Sequence, residues 1–127
     1  MAATSEALVR RVCEGWDKLG PDEFREIFSN DCAYENMPMP GVNRGPDAIA
    51  DVLKTIGDGY EVKLRIESLV ADGDLLMVER VESFTKTDGT GSFELPVVGV
   101  FQTANGKIAA WRDYFHFDPT LWGMGET

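Results

Sequence analysis

The sequence has few of the residues that metal sites require. It contains a single histidine and only two cysteines, Cys13 and Cys32, which do not form a CxxC pair. This scarcity argues against a Cys/His metal site. We therefore expect both cysteines to be small buried hydrophobes in a reducing compartment.

Long apolar runs and positive charge are also scarce. No run approaches the roughly 18 residues of a membrane span, and the N-terminus lacks the continuous apolar core of a signal peptide. Lys and Arg number 12 against 22 Asp and Glu, which gives a formal net charge of −10. Nucleic acid and anionic membrane surfaces would be repelled, whereas a neutral, fairly apolar small molecule would not. We expect a cytoplasmic protein with no nucleic-acid or membrane partner.

What the chain does contain is enough for one domain. Its 127 residues are too few to give a second domain its own core, so residues 1–127 are expected to form a single domain. Apolar residues make up 43% and charged residues 27%, a balance typical of a globular domain that can also line a cavity.

Hydrophobic periodicity changes along the chain. In the first half, apolar residues recur at helical spacing and predict helices over residues 4–19, 21–28 and 46–56. A short extended piece over residues 32–36 is stopped by Pro38 and Pro40. From Tyr60 onward the period is two, which predicts strands over residues 60–71, 75–86, 92–103 and 107–117.

Helices followed by strands predict an α+β fold. We expect three N-terminal helices packed on a strongly curved antiparallel sheet, which forms a cone with an internal pocket. Turn signals separate the strands, and the clearest is Asn105-Gly106, which predicts a hairpin.

Charged residues interrupt the inward faces of two predicted strands. Alternation places Arg80 and Glu82 in the middle of one apolar face, and it places Asp113 between aromatic residues on another. The first face also carries Leu76, Val78 and Phe84, and the second also carries Ala109, Trp111, Phe115 and Phe117. Such groups are costly to bury unless they are paired, so we expect Arg80 to pair with the acids. The strand between them offers apolar walls at Phe93, Leu95, Val97, Gly99 and Phe101.

Two interpretations of this charged cluster remain open. It is either a structural ion pair that only fixes strand register, or a functional site inside a cavity. A second carboxylate adds buried charge without improving the pairing, which favours the functional site.

Four stretches of the chain carry a resemblance to a known family. They are Tyr34-Glu35-Asn36-Met37-Pro38, Glu79-Arg80-Val81-Glu82, Gly99-Val100-Phe101 and Trp111-Arg112-Asp113-Tyr114-Phe115. In their order and spacing, and over nearly the whole chain, the sequence resembles the limonene-1,2-epoxide hydrolase family. That family belongs to a cone-shaped α+β superfamily shared with ketosteroid isomerase-like, polyketide-cyclase-like (SnoaL-like) and nuclear-transport-factor-2-like proteins.

The resemblance implies a role for each of five residues. Asp113 would be the general base that takes a proton from water, and Tyr34 and Asn36 would hold that water. Arg80 would lie between the two acids, and Glu82 would protonate the epoxide oxygen as the C–O bond breaks. No cofactor or metal is required, and a homodimer is implied. The apolar pocket would include Phe84, Leu95, Val97, Phe115, Trp16 and Met37.

Two positions depart from the family pattern. Glu82 stands where the family carries Asp, and its extra methylene moves the acidic proton by roughly 1 Å, a displacement that can cost about 10²-fold in rate. His116 stands where the family commonly has an acid, and alternation points it away from Asp113, so we expect a structural or surface position.

Segment 37–40 either forms a lip of the pocket or only breaks the strand. The tail at Trp122 either caps the cavity or contacts a partner subunit.

Three functional hypotheses result. The first is an epoxide hydrolase that adds water to a small, mostly apolar epoxide to give a vicinal diol. The second is an isomerase or cyclase of the same fold that acts on a terpenoid or polyketide. The third is a non-catalytic protein that binds a small molecule, because a fold does not determine a function.

Overall fold

The computed structural model describes residues 4–121, in which three helices lie against a mixed sheet of six strands. The predicted α+β class is therefore confirmed. The elements follow one another as α1 Ser5–Gly15, a 3-10 turn Trp16–Lys18, α2 Pro21–Ile27, β1 Phe28–Asn36, β2 Asn43–Arg44, α3 Pro46–Gly57, β3 Tyr60–Asp72, β4 Leu75–Lys86, β5 Ser92–Ala104 and β6 Lys107–Tyr114.

The first two helices begin at local sequence signals and end earlier than predicted. The Thr4 side chain accepts a backbone hydrogen bond and caps α1, and Pro21 occupies the first turn of α2. α1 ends at Gly15, because glycine costs about 1 kcal/mol relative to alanine inside a helix, and the 3-10 turn follows. α2 also stops early, so Phe28, which was predicted to be helical, is the first residue of β1.

The four predicted strands are present as β3 to β6 and form an antiparallel meander. The β5–β6 connection is the predicted hairpin at Asn105 and Gly106, whose φ angles are both positive, 54° and 78°. β6 ends at Tyr114, before the predicted end at residue 117.

The sheet has more strands than predicted and is not wholly antiparallel. Its strand order is β2-β1-β6-β5-β4-β3, because β1 pairs in parallel with β6, and β2 pairs with β1. The short extended piece predicted over residues 32–36 is the second half of β1. The parallel register sets Tyr34 beside Trp111 and Asn36 beside Asp113.

The helices cover one face of the sheet, and the core lies between them. α1 packs against β3, β4 and β6, whereas α2 and α3 pack against β1. In β6, Trp111 and Asp113 are buried as predicted, but the prediction was wrong at Ala109. A register shift between Gln102 and Thr103 places Ile108 in the core instead. In β4, all members of the predicted inward face are buried, namely Leu76, Val78, Arg80, Glu82 and Phe84.

The remaining single-residue predictions can be placed on this fold. Cys13 and Cys32 are free and fully buried, as expected. His116 is exposed, which agrees with a surface position. Trp122 lies outside the described residues. No helix within residues 4–121 has the length and apolar character that crossing a membrane requires.

Candidate active site

A cavity of about 590 Å³ lies at the inner face of the sheet, next to the 3-10 turn and α3. One part of its wall is polar and is formed by Tyr34, Asn36, Glu82 and Asp113. The remainder is mainly apolar and includes Leu53, Ile56, Leu95, Val97, Phe115 and Phe117. An apolar cavity with a few convergent polar groups is the usual form of a small-molecule site.

Arg80 bridges the two acids at the polar end of the cavity. Its Nε donates a hydrogen bond to Glu82 Oε2 (3.0 Å), and its Nη2 donates one to Asp113 Oδ2 (2.6 Å). The Arg80 residue is only 1% exposed. Burial opposes its charge, but Asp113 and Glu82 outweigh burial and hold the pKa of Arg80 well above its ordinary value. Arg80 is therefore a fixed cation shared by two carboxyl groups.

The bridge depends on Gly99, which lies between Val78 and Asp113 in the sheet. A Cβ at this position would lie 2.7 Å from Arg80 Nη1 and 2.9 Å from Asp113 Oδ1. Any side chain here would force the two groups apart. Glycine inside a strand often marks such a close approach, and here it leaves the space through which the guanidinium reaches the acid.

Both oxygens of Asp113 accept hydrogen bonds. Trp111 Nε1 donates to Oδ1 at 2.6 Å, and Arg80 Nη2 donates to Oδ2 at 2.6 Å. Trp111 and Asp113 stand two residues apart on β6, so their side chains share the inner face. A donor on each oxygen matches the carboxylate form of the side chain, which accepts hydrogen bonds and donates none.

Glu82 is bonded unequally at its two oxygens. Oε2 accepts from Trp16 Nε1 at 3.1 Å and from Arg80 Nε at 3.0 Å, and within residues 4–121 Oε1 accepts no hydrogen bond. Burial raises the pKa of Glu82; Arg80 opposes the rise and Asp113 adds to it. Glu82 can therefore hold a proton on Oε1 without losing a hydrogen bond. The two acids thus sit in unlike environments, as an acid and a base must.

Tyr34 and Asn36 stand next to Asp113 because β1 pairs in parallel with β6. The Tyr34 ring stacks on Trp111 with centroids 4.1 Å apart, and its hydroxyl donates to Asn36 Oδ1 at 3.1 Å. This bond leaves Asn36 Nδ2 as a donor and the Tyr34 oxygen as an acceptor. Burial raises the pKa of Tyr34 well above its ordinary value, so the hydroxyl keeps its proton.

Four of the predicted pocket residues line the cavity and two do not. Phe84 is fully buried away from the cavity, because it lies further along β4 and stacks on Phe93 with centroids 5.2 Å apart. Met37 is 40% exposed, and Met39 lines the cavity in its place, so segment 37–40 does contribute to the wall. The four that do line it are Trp16, Leu95, Val97 and Phe115.

Three residues hold the acids in place without having been predicted to do so. Gly99 leaves space, Trp111 donates to Asp113, and Trp16 donates to Glu82. A glycine in the middle of an apolar strand is a signal that sequence can offer. The contact of Trp16 with Glu82 spans 66 residues, and no local pattern predicts it.

A larger groove of about 810 Å³ shares Trp16, Leu53, Asp58 and Tyr60 with the cavity. Its wall carries both acidic and basic surface residues, and it contains none of Tyr34, Asn36, Glu82 and Asp113. Because the bonded acids border the smaller cavity, we assign the site to that cavity.

The fold and the site together define a class of protein. It is a small α+β protein in which the sheet and helices enclose a cavity, and in which one arginine is hydrogen-bonded to two acidic side chains. The fold is similar to that of a protein from Catenulispora acidiphila with a ketosteroid isomerase-like fold, solved in complex with trimethylamine. The TM-score is 0.80 over 96% of both chains at 18% identity, which is a likeness of fold alone.

Sequence then identifies the family. The sequence model of the limonene-1,2-epoxide hydrolase catalytic domain matches residues 5–124, and the chain belongs to that family. Epoxide hydrolase EphG of Mycobacterium tuberculosis is 30% identical over 94 residues, which are 74% of this chain and 61% of that protein. This chain therefore spans less than two thirds of that curated relative. A solved LEH-like epoxide hydrolase of M. tuberculosis is 28% identical, with a TM-score of 0.65, over 88% of this chain and 76% of that one.

Proposed function

We propose that this protein is an epoxide hydrolase that adds water to a small, mostly apolar epoxide and releases a vicinal diol. The observation that carries the proposal is the unequal bonding of two acids on Arg80. Asp113 accepts hydrogen bonds at both oxygens, and Glu82 accepts them at one. Membership of the limonene-1,2-epoxide hydrolase family and the likeness to M. tuberculosis epoxide hydrolase in sequence and in structure support the same reaction.

The water would be held by three groups. Asn36 Nδ2 donates to the water oxygen, and the water donates one hydrogen to Asp113 and the other to the Tyr34 oxygen. This arrangement uses the donor and the acceptor that the Tyr34–Asn36 bond leaves available. It also leaves one lone pair of the water oxygen for attack on the epoxide.

Ring opening needs a nucleophilic water and a proton for a poor leaving oxygen. Asp113 takes a proton from the water while the water oxygen forms a bond to one epoxide carbon. The C–O bond of that carbon breaks, and the epoxide oxygen takes the proton from Glu82. The proton gained by Asp113 then returns to Glu82 before the next turnover. One step therefore converts epoxide and water to a diol without a covalent intermediate.

The cavity wall supports a substrate that is mostly hydrocarbon. Apart from the polar end, most of the side chains that line it are aliphatic or aromatic. An anionic substrate would lose its hydration there without gaining a basic partner, because no Lys or Arg lines the described cavity wall. The formal net charge of −10 further disfavours anions.

The activity is tested by measuring diol formation from a panel of small epoxides, including limonene oxide and styrene oxide. We expect the wild type to form a diol and Asp113→Asn to form it about 10²- to 10⁴-fold more slowly. The control is Asp72→Asn, an exposed aspartate at the end of β3, which should keep the wild-type rate. Absence of diol from every epoxide contradicts the proposed activity. An undiminished rate in Asp113→Asn contradicts the mechanism.

A further inference from the structure

Trp16 occupies an unusual place for a residue of the first helical segment. It begins the 3-10 turn after α1 ends, is 4% exposed, and forms part of the cavity wall. Its ring rests on the end of α3, where a Cβ added to Gly57 would lie 3.5 Å from Trp16 Cζ3. The indole ring therefore packs against the end of α3, and its N–H edge faces Glu82.

The indole N–H of Trp16 has one function in this position. Trp16 Nε1 donates to Glu82 Oε2 at 3.1 Å, and indole nitrogen is a donor only. Arg80 Nε donates to the same oxygen at 3.0 Å. Protonation of Oε2 would displace one of these donors, whereas protonation of Oε1 displaces none of the described groups.

We propose that Trp16 is a positioning residue for the acid Glu82: together with Arg80 it occupies Oε2, so that Oε1 carries the proton and presents it to the cavity. The delivery of that proton to an epoxide rests on the proposed function. The hydrogen bond and its effect on Glu82 do not, and they are testable without turnover.

The length of the Glu82 side chain determines whether the hydrogen bond from Trp16 can form. An aspartate at this position would withdraw the carboxyl group by roughly 1 Å. The 3.1 Å bond from Trp16 would then stretch beyond hydrogen-bonding distance. The length of the Glu82 side chain therefore allows the hydrogen bond with the Trp16 indole, and that hydrogen bond orients the Glu82 carboxyl group.

Few other groups act on Glu82. Arg80 on the same strand and Asp113 on β6 are the charged groups that shift its pKa, and the uncharged Tyr34 and Cys13 also interact with it. Asp58 borders the same cavity. The residues paired with it on the two adjacent strands are apolar, Leu64 on β3 and Leu95 on β5. A change in the titration of Glu82 on removing the Trp16 N–H is therefore attributable to that donor.

Trp16→Phe removes the N–H and keeps an aromatic ring in the wall. We expect kcat/KM for an epoxide to fall about 10- to 100-fold, the effect of losing one hydrogen bond to an ionisable group. The Trp16 donor favours the ionised form of Glu82, so its loss moves the alkaline fall of kcat/KM to higher pH. In a Glu82→Gln background the same change should have no further effect. A Trp16→Phe profile that superimposes on the wild type overturns the proposal.

Nuclear magnetic resonance of the indole N–H groups tests the bond independently of activity. The signal missing in Trp16→Phe identifies Trp16, and in the wild type it should shift with pH as Glu82 titrates. That shift should vanish in Glu82→Gln and shrink in Glu82→Asp, and circular dichroism checks that each variant is folded. A Trp16 signal that titrates equally in Glu82→Gln overturns the proposal. If no epoxide is hydrolysed but the signal follows Glu82, the proposed function fails and the positioning contact stands.

Discussion

At position 99, the absence of a side chain decides whether Arg80 and Asp113 can meet. The guanidinium crosses the sheet over Gly99, where the Cβ of any other residue would lie 2.7 Å from Arg80 Nη1. The site therefore depends on a residue that contributes no functional group. A search of the sequence for acidic and basic residues alone would not find this dependence on Gly99.

Gly99→Ala should disrupt the site more than its single added methyl group suggests. We expect a loss of about 10²-fold in kcat/KM, because the Arg80–Asp113 contact must open, and a destabilisation of about 1–3 kcal/mol from overpacking. Kinetics and urea unfolding measure the two effects. Gly91→Ala is the control, because an added Cβ there meets no atom within 4 Å. Equal behaviour of the two variants would contradict this role for Gly99.

Glu82 also makes the stability of the fold depend on pH. Burial raises its pKa, so its contribution to stability is fully present below the unfolded-state pKa and is lost as pH rises through the folded-state pKa. Glu82→Gln cannot ionise. Its free energy of unfolding relative to wild type should therefore increase from about pH 5 to about pH 8.

Urea unfolding at both pH values measures this difference. Glu79→Gln is the matched control, because Glu79 lies on the exposed face of the same strand. A Glu82→Gln difference that is the same at both pH values would show that Glu82 is not kept protonated by the fold.

Among the strands that carry site residues, β1 was predicted least well. The long strands β3 to β6 follow a period of two and are joined by recognisable turns, so their positions could be predicted from the sequence. β1 has no such regularity, since its register against β6 shifts between Phe28 and Ala33. β2 consists of only Asn43 and Arg44, too few residues to show a period.

The same contrast holds for the site. Arg80, Glu82 and Asp113 could be predicted as a cluster because charged residues on an apolar strand face are anomalous. Tyr34 and Asn36 show no such anomaly. They were assigned through the family resemblance, and the parallel pairing that brings them to Asp113 joins strands far apart in the chain.

The β5–β6 hairpin joins the two strands in which Gly99 lies opposite Asp113. Gly106 has a φ of 78°, which costs other residues about 1–2 kcal/mol. Gly106→Ala should therefore lower the free energy of unfolding by about that amount, measured with urea, and leave kcat/KM of the folded protein unchanged. Gly91→Ala, without a positive φ, serves again as the control. A loss of activity in the folded variant would show that the turn, and not the sheet, holds the register.

At the scale of the whole molecule, the outer face of the sheet remains uncovered by the described helices. It exposes Val70, Met77, Val98 and Tyr114 on neighbouring strands, with Met77 44% exposed. Apolar residues clustered on an open sheet face are typical of a subunit contact. We expect two copies of the chain to pair through this face, in agreement with the homodimer that the family resemblance implies.

Sedimentation velocity tests this expectation. The wild type should sediment as a dimer, and Met77→Glu should weaken the dimer by at least about 10-fold in Kd, because a two-fold contact would bury two carboxylates. The control is Val42→Glu, an exposed apolar residue just before β2. A wild type that is monomeric at every concentration contradicts the expectation.

The two buried thiols also make the opening of this site measurable. Burial raises the pKa of Cys13 and of Cys32 to about 12, so the folded chain offers an alkylating reagent almost no thiolate at neutral pH. Cys13 lies on α1, just before Trp16, and Cys32 lies on β1, just before Tyr34. Each thiol can be trapped only when the packing around it opens. The alkylation rate of Cys13 therefore measures how often the protein opens near Trp16, the residue proposed to position Glu82. The alkylation rate of Cys32 measures how often it opens near Tyr34, at the proposed water site.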